Sequence, residues 1–243
     1  MEEIGFFFKD KLWIFSELPY LNQYYCHSSF AAKLQNQKYK KEKKLFPFLS
    51  EIKFKSEGSI YHQKIWEKNR KISFVNNKKK LLIVSGNFLG EEFMGSLEFK
   101  TPDVLTFEFI IHLYKYLSSQ NFDVYIKIHP KGVIDNPFYK IDKSIKFYNY
   151  KNISPAIDEM DCYIFEFAGS AFYDALLSNK GIILFDTKIR PWFKSGKELL
   201  SKRCHILNTY IDKYNRIRFK EKNVSKALDE AFNFKKCEKN YAK

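Results

Sequence analysis

The chain has 243 residues, of which 45% are hydrophobic and only 9 are glycine and 7 proline, so it can bury a core and is neither a fibrous repeat nor a disordered chain. Lysine and arginine (42) exceed aspartate and glutamate (28) by 14, which favours an anionic partner such as nucleic acid, an acidic membrane surface or a phosphorylated substrate. Four widely spaced cysteines without a Cys-x-x-Cys pair argue against a zinc site or a disulfide framework, and they favour a reduced compartment.

The first 77 residues contain few predicted elements. Acidic residues stand where a signal peptide needs basic ones, so we expect a cytoplasmic protein whose membrane contact, if it has one, is peripheral at the inner face. Residues 12–15 predict a strand, residues 19–34 favour a helix, residues 38–44 form a basic linker, and residues 51–54 predict a second strand. We interpret residues 1–77 as a partial N-terminal α/β segment.

From residue 78 onward, apolar strands alternate with helices. Strands are predicted at residues 81–84, 123–128, 145–148, 162–165 and 182–185. A helix is predicted to follow Thr101 as its cap with Pro102 in its first position, and further helices are predicted to open at residues 154–155 and to cover residues 170–177 and 224–232. The fold class is therefore α/β, with a Rossmann-like parallel sheet and helices on both faces over residues 78–243.

The loop after the second strand of this sheet carries the first candidate site residues. His129 ends the strand, Pro130 stops the strand ladder, and Lys131 follows. Ligands bind such sheets beyond the carboxyl ends of the strands, where an imidazole can contact a phosphate or share a proton with a leaving group. The competing interpretation is a histidine that packs at a strand end for structural reasons alone.

The segment at residues 165–174, between a predicted strand and a predicted helix, carries the second set. Gly169, Ser170 and Ala171 are small enough to let a phosphate approach the backbone at the start of a helix. Glu166 ends the preceding strand, where it can accept a hydrogen bond from a ribose or sugar hydroxyl. An ordinary strand-to-helix turn with Ser170 as the cap, and a solvated Glu166, explain the same residues without a ligand.

These segments together resemble a family. Residues 125–130 (Tyr-Ile-Lys-Ile-His-Pro), 161–165 (Asp-Cys-Tyr-Ile-Phe), 169–176 (Gly-Ser-Ala-Phe-Tyr-Asp-Ala-Leu) and 181–186 (Gly-Ile-Ile-Leu-Phe-Asp) look like the C-terminal domain of CDP-glycerol glycerophosphotransferases and of capsule polysaccharide transferases with a His-Pro motif. The resemblance implies a GT-B fold whose C-terminal half binds a nucleotide-activated donor. It implies that His129 contacts the donor phosphate and that residues 169–171 correspond to the family's serine-rich loop, with a single serine here.

The resemblance leads to the functional hypothesis of a transferase that moves a sugar or polyol phosphate to a surface glycan or a lipid-linked acceptor. The donor, CDP-, CMP- or UDP-linked, is a substrate, and no cofactor or metal is expected because the sequence has no Asp-x-Asp pair. The short N-terminal segment leaves three interpretations open: a fragment, a split gene product, or a reduced form in which a partner chain supplies the rest of the acceptor domain. The alternatives are a non-catalytic nucleotide- or glycan-binding subunit and a nucleic-acid-binding protein; dispersed basic residues and aromatic residues within apolar segments argue against the latter.

Overall fold

The computed structural model describes residues 21–26, 28–69, 79–86, 88, 102–130, 136–149, 153, 159–188, 192 and 194–233. The strands are β1 (Gln23–Cys26), β2 (Lys53–Ser56), β3 (Lys80–Val84), β4 (Asp123–Lys127), β5 (Lys146–Phe147), β6 (Cys162–Phe165), β7 (Gly181–Asp186), β8 (His205–Asn208), β9 (Tyr210–Ile211) and β10 (Ile217–Arg218). The helices are α1 (Ser29–Leu45), α2 (Ile60–Asn69), α3 (Asp103–Ser119), α4 (Ser170–Leu176), α5 (Lys194–Leu200) and α6 (Glu221–Phe232), with a 3-10 helix at Pro137–Lys140.

Strands β3 to β8 form one parallel sheet in the order β5-β4-β3-β6-β7-β8. Counted from β3 as the first strand, this order is 3-2-1-4-5-6, the order of doubly wound Rossmann-like sheets. Strands β4 and β5 lie on one side of β3, whereas β6, β7 and β8 lie on its other side. The order in which strands are added to the sheet therefore reverses between β3 and β6, which pair directly. The predicted α/β fold with a parallel sheet is confirmed, and this reversal point is where such sheets bind ligands.

Both faces of the sheet are buried, because strand side chains alternate between two cores. Leu82, Tyr163 and Leu184 face one core, which α2, α4 and α5 cover through Ile65, Phe172 and Leu200. The neighbouring residues of the same strands face the other core, which α3 and α6 cover. Helix α6 packs so closely on β7 that a Cβ added at Gly181 would lie 2.5 Å from the Ala231 carbonyl oxygen.

Strands β1 and β2 and helix α1 form a separate βαβ unit. The two strands pair in parallel, and the Ser28 Oγ caps α1 by accepting a hydrogen bond from the Ala31 N–H at 3.1 Å. Tyr39 on α1 is buried, and its O–H donates to the Ser50 carbonyl. The core of this unit consists of Tyr24, Cys26, Ala32, Tyr39, Leu49 and Ile52.

Two predictions for the N-terminal unit are wrong. Residues 23–26, inside the predicted helix 19–34, form β1, because pairing with β2 buries Tyr24 and Cys26 on one side. Residues 38–44, the predicted linker, lie within α1. Lysine and glutamate are good helix formers, and Tyr39 anchors this turn in the core.

Smaller differences concern helix starts and unpredicted elements. Pro102 precedes α3 as its cap and Asp103 is the first helical residue, while Thr101 lies outside the described residues. Gly169, rather than Ser170, is the cap of α4. Elements α2, α5, β8 and the β9–β10 hairpin were not predicted, and the predicted strand at 12–15 and helix start at 154–155 lie outside the described residues.

In the described part of the chain, no helix combines the length and the apolar composition needed to cross a bilayer.

Candidate functional site

A cavity of about 150 Å³ opens at the carboxyl edge of the sheet, beside the reversal point between β3 and β6. Its lining comes from the ends of β3 and β4 and from the first turns of α4. The apolar lining residues are Val84, Ile128, Pro130, Ile153 and Ala171, and the polar lining residues are Ser85, Lys127, His129, Ser170 and Asp174. The two loops that the sequence singled out therefore meet at one cavity.

His129 reaches this cavity because β4 ends two residues earlier. The ladder between β3 and β4 continues to the Ser85 N–H, which donates to the Lys127 carbonyl at 2.9 Å, and then stops. His129 is half-buried and lies beside Pro130 in the lining. Lys131, the other cation expected in this loop, lies outside the described residues.

Lys127 is a lining residue that sequence reasoning did not assign to the site. It is the last residue of β4, and only 5% of it is exposed. Burial lowers the pKa of the Lys127 ammonium, because a charged group loses hydration inside the protein. The signal for this role was available: a lysine at the end of an otherwise apolar parallel strand, directly before the His-Pro pair.

The second loop contributes Ser170 and Ala171. Gly169 has an extended backbone, caps α4 without a side-chain bond, and is not one of the lining residues. Ser170 begins the seven-residue helix α4 and is exposed toward the cavity region. The structure thus brings Ser170 and Ala171 to His129, while Gly169 shapes the turn that leads into the helix.

Glu166 is not one of the cavity-lining residues, and its side chain bonds to the backbone of a neighbouring loop. Its Oε1 accepts a hydrogen bond from the Gly86 N–H at 2.7 Å, which ties the loop after β6 to the loop after β3. The fit is close, since a Cβ at Gly86 would lie 3.1 Å from the same oxygen. Glu166 therefore fixes the two loops on either side of the reversal point.

Asp174 links the cavity to helix α2 of the N-terminal region. It lines the cavity one helical turn after Ser170, and its Oδ2 accepts a hydrogen bond from the Tyr61 O–H at 3.2 Å. The His62 Nε2 lies 3.9 Å from its Oδ1. Burial and the nearby Asp174 charge together raise the pKa of Tyr61 to about 12, so this phenol stays a hydrogen-bond donor.

Sequence reasoning assigned neither side of this link to the site, although only one side lacked a signal. Asp174 lies four residues after Ser170 and therefore on the same helix face, a spacing that could have indicated it. Tyr61 and His62 had no such signal, because α2 has a weak pattern and its contact with α4 spans more than 100 residues of sequence.

The cavity combines cationic and acidic groups. Across the described ranges, no cluster of three or more histidine, cysteine, aspartate or glutamate side chains is placed to hold a metal ion. The groups present can accept or donate hydrogen bonds and offset an anionic charge, which suits a phosphate beside a hydroxyl-bearing group. Comparison of the chain with models of protein families, with curated proteins and with solved structures found no match to any of them.

Proposed function

We propose that the chain is a transferase of the GT-B kind, whose sheet domain binds a CDP-, CMP- or UDP-linked donor and passes its sugar or polyol phosphate to a surface glycan. The supporting observation is the convergence of Lys127, His129 and Ser170 on one cavity at the carboxyl edge of a Rossmann-like sheet. The end of β4 and the start of α4, some 40 residues apart in the sequence, supply these groups.

In this proposal the phosphate of the donor lies against Lys127 and His129. When the oxygen of the acceptor hydroxyl forms its bond to the donor, its proton is released to solvent, and the nucleotide departs with the electron pair of the broken bond and gains negative charge. A cation held in a poorly hydrated wall stabilises that charge more than an exposed cation would. Protonated His129 can in addition donate a hydrogen bond to the departing phosphate.

Asp174 has a different role, because a carboxylate repels a phosphate at short range. It suits a hydroxyl group of the ribose, sugar or polyol, which can donate to a carboxylate oxygen. The hydrogen bond from Tyr61 holds the carboxyl group in place. Helix α2 therefore helps to orient a wall of the donor site.

The test compares nucleotide binding and stability in a His129→Ala variant. Losing a hydrogen bond to a charged group costs about 1.5–3 kcal/mol, so the affinity for the preferred nucleotide among CMP, CDP, UDP and GDP should fall by about ten- to a hundredfold. Stability should fall much less, because His129 is only half-buried. Isothermal titration and chemical denaturation on the same preparation measure both quantities.

The matched control is His205→Ala, which removes a histidine from the amino end of β8. The Nδ1 of His205 lies 3.3 Å from the Glu230 Oε2. This variant should keep the nucleotide affinity. If His129→Ala binds normally but is strongly destabilised, His129 is structural and the site is misassigned. Binding without any transfer to added glycan acceptors would instead favour a non-catalytic nucleotide-binding subunit.

A further inference from the structure

Helix α1 ends in a surface where lysines and large apolar residues lie side by side. Leu45, Phe46 and Phe48 are 71%, 42% and 76% exposed. Single exposed apolar residues are ordinary, but three within four residues mark an interaction site. The exposed lysines Lys40, Lys41 and Lys44 directly precede them. We call these six residues the basic–aromatic patch.

The turn that carries the patch is fixed by a buried leucine and by backbone hydrogen bonds. Leu49 is buried in the core of the βαβ unit, and its N–H donates to the Phe46 carbonyl at 3.1 Å. The Phe46 N–H in turn donates to the Glu42 carbonyl at 2.9 Å and closes the helix. The Phe46 and Phe48 rings pack edge to face at 6.0 Å. The patch is therefore a preformed surface.

The charges around the patch favour an anionic partner. Lys43 pairs with Glu51, and Glu42 lies in the same turn. The four lysines at positions 40, 41, 43 and 44 therefore outnumber the two glutamates and leave an excess of positive charge. A protein partner that bound the patch in an apolar groove would not require this excess of positive charge. Nucleic acid would meet the lysines but would leave Leu45 in water. A membrane with acidic headgroups satisfies both parts, because lysines meet the headgroups while leucine and phenylalanine enter the interfacial layer.

We propose that the basic–aromatic patch docks the protein on an anionic lipid surface. The docking is peripheral: Leu45, Phe46 and Phe48 enter the boundary between headgroups and acyl chains, and Lys40, Lys41 and Lys44 contact lipid phosphates. The proposal is independent of the nucleotide site, since the patch belongs to the βαβ unit and contributes nothing to the cavity lining.

The test is cosedimentation of the full chain with two kinds of vesicle, phosphatidylcholine alone and phosphatidylcholine with about a third phosphatidylglycerol. The wild-type chain should bind the anionic vesicles at least about tenfold more tightly. Replacing Leu45 and Phe48 together by serine should weaken binding to anionic vesicles by about tenfold or more. The triple change Lys40→Gln, Lys41→Gln and Lys44→Gln should abolish the preference for the anionic vesicles.

Two control variants match these changes elsewhere on the surface. Ile211→Ser with Tyr214→Ser removes apolar groups that are 59% and 62% exposed on the β9–β10 hairpin, and Lys222→Gln with Lys226→Gln removes exposed lysines from α6. Both should bind vesicles like the wild type. All altered side chains are exposed, so thermal unfolding should confirm that each variant is folded.

Three outcomes would overturn the proposal. The first is equal wild-type binding to both kinds of vesicle. The second is full binding by the Leu45→Ser, Phe48→Ser variant, which would reduce the lysines to non-specific electrostatic adsorption. The third is a change in that variant from dimer to monomer without a change in vesicle binding, which would make the patch a contact between copies of the chain.

Discussion

Lys127 is a buried lysine in the wall of the cavity. Burial penalises its charge, yet it lies in a cavity wall beside His129. A hydrophobic side chain would fill the end of β4 at less electrostatic cost. A bound phosphate changes this balance, because a nearby anion favours the charged ammonium. If the proposed nucleotide site is correct, a bound phosphate should therefore offset part of the cost of burying this charge.

This argument predicts a pH dependence for the variant Lys127→Met. Nucleotide affinity of the wild type should decline as pH rises through the lowered pKa of Lys127, because only the ammonium attracts phosphate. The variant should bind nucleotide about tenfold or more weakly at neutral pH and should lack that decline. Isothermal titration across the alkaline range checks this, with the exposed Lys222→Met as the control. Unchanged affinity in Lys127→Met would exclude the residue from the site.

The same pKa shift predicts the effect on stability. Between the lowered pKa of Lys127 and the ordinary lysine pKa of 10.5, the unfolded chain holds a proton that the native chain has lost. The unfolded state binds more protons there, so the free energy of unfolding contributed by Lys127 should increase with pH across this window. Denaturation curves should show this increase in the wild type and lose it in Lys127→Met.

At the scale of elements, helix α4 matters most because it carries Ser170 and Asp174. Its carboxyl end is fixed by Arg203, a residue only 2% exposed, which donates to the carbonyls of Leu176, Ala175 and Ser178 at 2.9, 3.2 and 2.7 Å. A cation here also suits the partial negative charge at a helix end. Arg203 is therefore a positioning residue for the cavity, although it does not line it.

We predict that Arg203→Lys lowers the free energy of unfolding by about 2–4 kcal/mol, because an ammonium cannot reproduce the fork of donors and leaves buried carbonyls poorly bonded. Nucleotide affinity should also fall, since α4 loses its fixed position. Arg216→Lys is the control, because that side chain is partly exposed and its Nε pairs with the Asp212 Oδ2 of the hairpin at 3.0 Å. Equal stability of the two variants would show that Arg203 does not hold α4.

The elements also show what sequence patterns can and cannot predict. Strands β3, β4, β6 and β7 were predicted within one or two residues, because buried parallel strands appear as short apolar runs between turn residues. Strand β8 was missed because its residues are half-buried or exposed, so no apolar run marks it. Helix α1 was partly misread because its lysines carry no apolar pattern, and two buried residues, Ala32 and Tyr39, hold it to its unit.

The site follows the same logic. His129 and Ser170 could be predicted because strand ends converge at one edge of a parallel sheet. The hydrogen bond between Glu166 and Gly86, and that between Tyr61 and Asp174, join residues 80 and 113 positions apart. No local pattern encodes such pairs; they depend on the completed topology. The proposed roles of these residues in nucleotide binding stay predictions.

At the scale of the whole molecule, the described residues form one small hydrophobic core and two large ones. The βαβ unit buries six apolar residues in its cluster, whereas the clusters on the two faces of the sheet bury 17 and 21. Helix α2 belongs with the sheet, because Ile65 packs into one of these larger clusters and Tyr61 bonds Asp174. Gly58, with φ +72° and open space around it, lies between β2 and α2.

This distribution predicts where the molecule separates into cooperative units. A small core opens at lower free energy than a large one, so amides of α1 should exchange with solvent deuterium before those of β3, β6 and β7 as denaturant is added. Helix α2 should exchange with the sheet, which places the boundary near Gly58 rather than at residues 77–78, where sequence patterning placed it. Hydrogen exchange followed by mass spectrometry, corrected for intrinsic rates, measures this order. Exchange of α2 together with α1 would show that Tyr61 and Ile65 do not couple it to the sheet, and the boundary at residue 77 would then stand.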